Sequence, residues 1–104
     1  MIIINNDPNL EFYDLDINGY PKYEYNGVPL TGVITAYFEN PIYSTLIETE
    51  SSYVNGMRLG LQTLYWNNGQ MRSQYTIGDG GLDGLVREWD KQGNLTYSRV
   101  YTKG

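Results

Sequence analysis

Glu48, Glu50 and Glu88 are the side chains that come closest to a catalytic set. Paired carboxylates cleave glycosidic bonds when an apolar pocket raises the pKa of one of them, so that it can protonate the leaving oxygen. Here alternation along extended segments places all three on a polar, solvated face, and the expected role is an acidic, partner-facing row. The run Gly78-Asp79-Gly80-Gly81-Leu82-Asp83-Gly84 has the composition of a phosphate loop or a calcium turn. A phosphate loop needs a helix whose N-terminus meets the anion, and no helix is expected after it. Calcium needs more oxygen ligands than Asp79 and Asp83 offer with nearby carbonyls. A plain turn is the expectation. Asn94-Leu95-Thr96 has the form of a glycosylation acceptor, but Leu95 is expected in the core. The chain contains no cysteine and no histidine, which removes disulfides, thiolate nucleophiles, and the commonest general base and metal ligand. No catalytic residue, metal or cofactor is expected.

The elements that carry these residues are set by an echo of 24 residues. Ile47, Met71 and Leu95 fall at that spacing, as do Glu50, Gln74 and Ser98, then Tyr53, Ile77 and Tyr101, and then Gly56, Gly80 and Gly104. A second series within each unit pairs Gly60 with Gly84, Tyr65 with Trp89 and Gly69 with Gly93. A fixed period of this length marks a repeat architecture, in which each unit buries its apolar surface against its neighbour.

Asn18-Gly19, Asn26-Gly27, Asn55-Gly56, Asn68-Gly69 and Asp79-Gly80 are turn signals, because these pairs readily adopt positive φ. Between them lie runs rich in Tyr, Val, Ile, Leu, Thr and Trp, which suit a pleated surface. The chain therefore reads as all-β, an antiparallel meander of stacked hairpins in a single domain. Strands are expected near 45–54, 59–66, 70–78, 83–90 and 94–102, and an earlier divergent unit near 23–38. Residues 1–22 match the repeat poorly, and Met1–Ile4 and Glu11–Ile17 are expected to cover the first sheet edge. A helix over 42–55 is the rival assignment, overridden because 71–77 aligns with 47–53 between turns that leave no room for one. Alternation puts odd positions from Ile47 to Tyr101 on a core-like face, Leu61, Leu85 and Leu95 among them. Even positions, with Gln62, Arg72, Gln74, Glu88 and the apolar exceptions Leu64, Trp66, Val86 and Val100, fall on a wet face. Hairpin closure is expected to oppose Tyr65 to Met71, Leu61 to Tyr75, Trp89 to Leu95 and Arg87 to Tyr97, the last as a cation–π pair.

The net charge of −5 is unevenly spread: residues 1–50 hold eight carboxylates against Lys22 alone, a net of −7, and residues 51–104 hold six basic and four acidic residues, a net of +2. An acidic half repels nucleic acid and anionic lipid and attracts a basic protein. The opening lacks the basic leader and apolar length of a secretory signal, and no run is long and apolar enough to span a membrane. A cytoplasmic location is the expectation.

The segments Tyr53-Val54-Asn55-Gly56-Met57-Arg58-Leu59-Gly60 and Tyr65-Trp66-Asn67-Asn68-Gly69-Gln70-Met71, followed by Tyr75, resemble the MORN-variant repeats of bacterial proteins grouped as YwqK-type antitoxins. The resemblance spans roughly 25–104, with Gly78 and Trp89 as mild departures and a step of five instead of four from Gly27 to Gly32. It implies a non-catalytic sheet of stacked hairpins that serves as antitoxin or immunity protein. It brings no catalytic residues to carry over.

The one irregular connection lies at Glu39–Ser44, and irregular loops on a regular scaffold collect binding residues. Tyrosine supplies 11 residues, and the off-pattern Tyr13, Tyr20, Tyr37 and Tyr43 are as suited to an interface as to packing. The expected contact set is Tyr37, Glu39, Tyr43, Glu48 and Glu50, facing a basic toxin such as a nuclease. The alternative is a scaffold or membrane-peripheral module, for which Arg72, Arg87, Arg99 and Lys103 would supply the basic patch.

Overall fold

In a computed structural model the chain is described at residues 1–79 and 81–102. Its strands are β1 (Ile2–Ile4), β2 (Leu10–Leu15), β3 (Pro21–Tyr25), β4 (Val28–Pro29), β5 (Gly32–Tyr37), β6 (Ile47–Val54), β7 (Met57–Tyr65), β8 (Met71–Gly78), β9 (Gly81–Leu82), β10 (Gly84–Trp89) and β11 (Leu95–Tyr101). The fold is all-β, and no α-helix forms among the described residues. The span weighed as a helix holds a single 3₁₀ turn, Pro41–Tyr43, and then β6. A large sheet runs in the order β1-β5-β6-β7-β8-β10-β11, with β9 beside β8, and β2, β3 and β4 form a small separate sheet. The expected repeat strands form within about two residues of their predicted ends. Gly80, Lys103 and Gly104, which complete the expected glycine series and basic patch, lie outside the described residues.

Two turn types explain the meander. Asn26-Gly27 and Asn55-Gly56 have φ of 52° and 79°, and 49° and 84°, the geometry of a two-residue hairpin loop. Asp16–Tyr20, Trp66–Gln70 and Asp90–Asn94 share a second turn, in which the first N–H donates to the fifth carbonyl and a glycine N–H donates back to the first carbonyl. The N-terminal hairpin thus uses the same turn as the repeats, although its strands break away into the small sheet. The boundary expected at 22/23 falls inside β3. Of the two segments expected to cover the first sheet edge, Ile2–Ile4 does so, as a parallel partner of Val33–Thr35. The other instead pairs with β3.

The expected pairs Tyr65–Met71 and Trp89–Leu95 form, but the next ones slip by one residue. Tyr75 lies opposite Gln62 and Leu61 opposite Thr76, while Arg87 lies opposite Ser98 and Tyr97 opposite Glu88. The cause is an inserted residue in each hairpin: Glu48 opposite Tyr37, Arg72 opposite Tyr65 and Thr96 opposite Trp89 are left without a direct partner. These three stand 24 apart, so the bulge is part of the repeat. A one-residue slip exchanges faces. Odd residues Tyr53, Tyr75, Ile77, Tyr97 and Tyr101 therefore share the inner face with even residues Arg58, Gln62, Val86 and Glu88. Leu61, Leu85 and Leu95 are 49%, 44% and 54% exposed, against the core expected for them. Gln62 and Val86, expected on the wet face, are 0% and 7% exposed.

The small sheet covers only the N-terminal part of the inner face. Ile3, Leu30, Ile34 and Tyr53 form the core there, with Leu10, Tyr23 and Tyr25 packed against it. Gly56 ties the two sheets: its N–H donates to the Leu30 carbonyl at 2.7 Å and its carbonyl accepts from Tyr23 N–H at 3.0 Å. A side-chain carbon at Gly56 would collide with the Tyr13 hydroxyl and the Tyr23 carbonyl, and its φ of 84° disfavours any L side chain. Gly56→Ala is expected to destabilise by about 3 kcal/mol, combining a left-handed backbone with overpacking, whereas Gly19→Ala, with open space around it, costs about 1 kcal/mol. Urea unfolding of the two variants checks the difference.

Candidate functional site

Where the small sheet ends, its Asp16–Tyr20 turn overhangs the inner face of the large sheet and encloses a cleft of about 450 Å³. Asp16, Tyr20, Arg58, Tyr75, Ile77 and Leu82 are among its walls. Arg58 is the cation at its centre, 5.1 Å from the Tyr20 ring centroid and 6.0 Å from that of Tyr75. Its Nη2 donates to the Tyr75 hydroxyl at 2.7 Å and its Nε to Gln62 Oε1 at 3.1 Å. The buried Gln62 amide is itself fixed, donating from Nε2 to the Ser52 and Gly60 carbonyls. A chain of hydrogen bonds from backbone to amide to guanidinium thus orients the charge. The Asp16 carboxylate accepts from the N–H groups of Asn18 and Tyr20, which shapes the overhang.

Tyr20, Tyr75 and Leu82 also border a second, more open hollow of about 390 Å³, walled by Val86, Glu88, Tyr97 and Tyr101. The Tyr97 and Tyr101 hydroxyls lie 3.0 Å apart, and that hydrogen bond raises the pKa of Tyr101. Together the two hollows make a tyrosine-walled groove along the part of the inner face that the small sheet leaves open. Large rigid rings with hydroxyl tips, aliphatic side chains and one oriented guanidinium are the components of a recognition surface.

The expected contact residues lie elsewhere. Tyr37 and Glu39 line a separate shallow cleft of about 480 Å³ with Ile4, Asn5, Asn6, Phe38 and Ser44. Tyr43 packs edge-on against Phe38, with ring centroids 6.4 Å apart, in the 3₁₀ turn that Asn40 caps by accepting from Ile42 N–H. Glu48 is exposed at its bulge, and Glu50 accepts a 2.5 Å hydrogen bond from the Tyr65 hydroxyl. Glu50 belongs to a polar row on the outer face, Thr35-Glu50-Thr63-Gln74-Arg87-Ser98, in which Gln74 donates to Thr63 and Arg87 to Gln74. Glu88 stands on the inner face, so the three carboxylates read together from sequence are on opposite sides of the sheet. Among the described residues no group of three or more His, Cys, Asp or Glu is placed to hold a metal.

The six basic residues among those described each lie over an aromatic ring: Lys22 over Tyr13, Arg58 over Tyr20 and Tyr75, Arg72 and Lys91 over Trp66, Arg87 over Trp89, and Arg99 over Tyr101. The cation–π contact expected between Arg87 and Tyr97 is therefore made to Trp89, at 5.3 Å, because the bulge moves Tyr97 to the other face. Arg58 and Gln62 fall outside the expected site because a uniform parity through the Asn55-Gly56 loop places even positions on the wet face. A two-residue loop pairs Val54 with Met57, which reverses parity and is readable from the sequence. Tyr20 reaching Arg58 has no such local signal.

No family model, curated protein or solved structure matches the chain.

The Glu50 carboxylate pushes the Tyr65 phenol up to about 12 from 10.0, with burial adding to the effect. The folded chain holds this proton more tightly than the unfolded chain does. The bond's contribution to stability is therefore intact below the unfolded value of 10.0 and lost as pH rises toward about 12. Ultraviolet titration should show a late-ionising tyrosine that disappears in Tyr65→Phe, and the variant should lose less stability than wild type over that pH interval.

Proposed function

We propose that this chain is a non-catalytic antitoxin or immunity protein of the MORN-variant repeat type, cytoplasmic, which neutralises a cognate bacterial toxin by binding it. The observation that carries this reading is the division of charge: the described cations are docked on rings, while Glu39 and Glu48 are exposed. In the small sheet Glu11 and Glu24 are directly opposed, a like-charge pairing that costs stability. Such a surface speeds encounter with a basic protein, and the tyrosine-walled groove supplies the area that slows release. The acidic end with Tyr37, Glu39, Tyr43, Glu48 and Glu50 is the steering surface. Binding uses no cofactor.

The lipid-binding alternative finds less support in the arrangement of charge. Of the cations expected in the basic patch, Arg87 lies on the outer face and Arg99 on the inner, while Arg72 shares the Trp66 ring with Lys91, so Arg87 and Arg99 do not join one surface. No helix among the described residues is long and apolar enough to cross a membrane.

The test is neutralisation and binding kinetics with the protein encoded by the adjacent reading frame. Glu48→Lys should slow association about tenfold at low salt, with the difference closing as salt rises. Tyr20→Ala should instead raise the dissociation rate. Glu48 suits charge reversal better than Glu50, whose loss would also break the Tyr65 hydrogen bond. A toxin left active in the presence of the chain, or substrate turnover by the purified chain alone, removes the proposal.

A further inference from the structure

The two edges of the large sheet are unlike. One is closed by β1, only three residues long, while the other is β11, seven residues long and with no strand beyond it among the described residues. Edge strands left open are templates for another strand unless they are shortened, interrupted by proline, bulged or heavily charged. Leu95–Tyr101 contains no proline and one charge, Arg99, and its bulge falls at the start, so Tyr97–Tyr101 pairs residue for residue with Gly84–Glu88. Leu95 and Val100 are 54% and 67% exposed.

We infer that β11 pairs antiparallel with β11 of a second copy, about a two-fold axis at Ser98, joining two large sheets edge to edge. Antiparallel self-pairing about Ser98 uses the stretch from Thr96 to Val100, past the bulge. It sets Thr96 opposite the partner's Val100 on the outer face and Tyr97 opposite the partner's Arg99 on the inner, each contact occurring twice by symmetry. An axis one residue further on, at Arg99, would instead oppose two guanidinium groups. The charges fit the Ser98 register in a second respect. Glu88 is the β10 partner of Tyr97, so the partner's Arg99 extends a row that holds a carboxylate one strand in from the edge, about 10 Å away across two strand spacings. The strongly acidic N-terminal halves then lie at the outer ends of the joined sheet, where they repel least.

The pairing is in plane, so both faces stay open and the tyrosine-walled grooves of the two copies adjoin. The shared edge is about 17 Å long, which makes a small interface and a weak, concentration-dependent dimer. This inference is independent of the proposed toxin binding and stands or falls separately.

Sedimentation of the full chain from about 10 μM to about 1 mM, a range that brackets weak association, should show a monomer–dimer equilibrium. Tyr97→Lys faces the partner's Arg99 and Tyr97→Glu faces it with opposite charge, so the glutamate variant should dimerise about tenfold more tightly than the lysine variant. In an Arg99→Glu background the order should reverse. Both substitutions remove the same ring and face Glu88 within their own chain, a pairing that Arg99→Glu leaves unchanged, so the reversal of order in that background reports the register and not a loss of fold. A monomer throughout the range, as for an edge that accepts only a different protein's strand, overturns the inference. So do equal dimerisation constants for the two Tyr97 variants, or an order that fails to reverse.

Discussion

The backbone of Gly56 serves two sheets at once, and the rest of the molecule is arranged around that contact. Its N–H and carbonyl bond Leu30 and Tyr23, while Asn55 N–H donates to Thr31 Oγ1, so the loop between β6 and β7 is held by the segment that links the small sheet to the large one. These bonds fix the height at which the small sheet sits over Tyr53, whose ring meets that of Tyr23 edge-on at 5.6 Å. They also decide how far the Asp16–Tyr20 turn projects, and therefore where Tyr20 meets Arg58. A side chain at residue 56 would separate the sheets, thinning the core and opening the groove together. Core packing and the shape of the groove share this one close approach.

Beyond that junction the sheet is a single layer, and its cohesion has a different origin. Little apolar surface is fully buried around β8, β10 and β11, where Val86 is the buried hydrophobic residue. Cross-strand rows take over, each neighbouring pair contributing on the order of 0.2–1 kcal/mol. On the outer face the row from Thr35 to Ser98 links amide, hydroxyl and guanidinium groups, and Thr35 and Thr63 are buried beneath their neighbours without any buried side-chain polar atom left unsatisfied among the described residues. Tyrosine and tryptophan suit such a sheet because one side of the ring packs while the polar tip stays wet. The cations complete this, since an arginine stem covers the ring it lies over and keeps its head in water.

The periodicity of Tyr, Gly and Asn-Gly made the hairpins legible, because each turn is a local event: Asn55-Gly56 adopts positive φ whatever lies across the sheet. The inserted residues Glu48, Arg72 and Thr96 were not legible, since a bulge is defined only by the opposite strand. Their recurrence at the repeat spacing was visible but had no meaning before Tyr37, Tyr65 and Trp89 were placed across from them. The departure of residues 10–29 into a second sheet was hidden for a similar reason. It depends on Gly32, where a side-chain carbon would lie 2.5 Å from the Met1 carbonyl, and on Leu30, which is 1% exposed between the sheets. Of the expected contact set, Tyr37 and Glu39 do share a cleft, but the larger groove required Arg58, Gln62 and Tyr20, which meet only through the tertiary fold.

The repeated bulge also explains why the two faces came to have different chemistry. Without it each Tyr–Asn–Gly hairpin would keep one parity, and the tyrosines following the bulge would point to the outer face. The inserted residue turns Tyr75 and Tyr97 inward, beside Tyr20 and over the uncovered half of the sheet, and leaves Gln74 and Ser98 to extend the polar row outside. One face thereby gains open ring area, and the other gains a hydrogen-bonded row that stiffens the layer without a second sheet behind it. A one-layer scaffold needs both properties. An open face of rings contributes little to rigidity, so the opposite face must keep the strands in register.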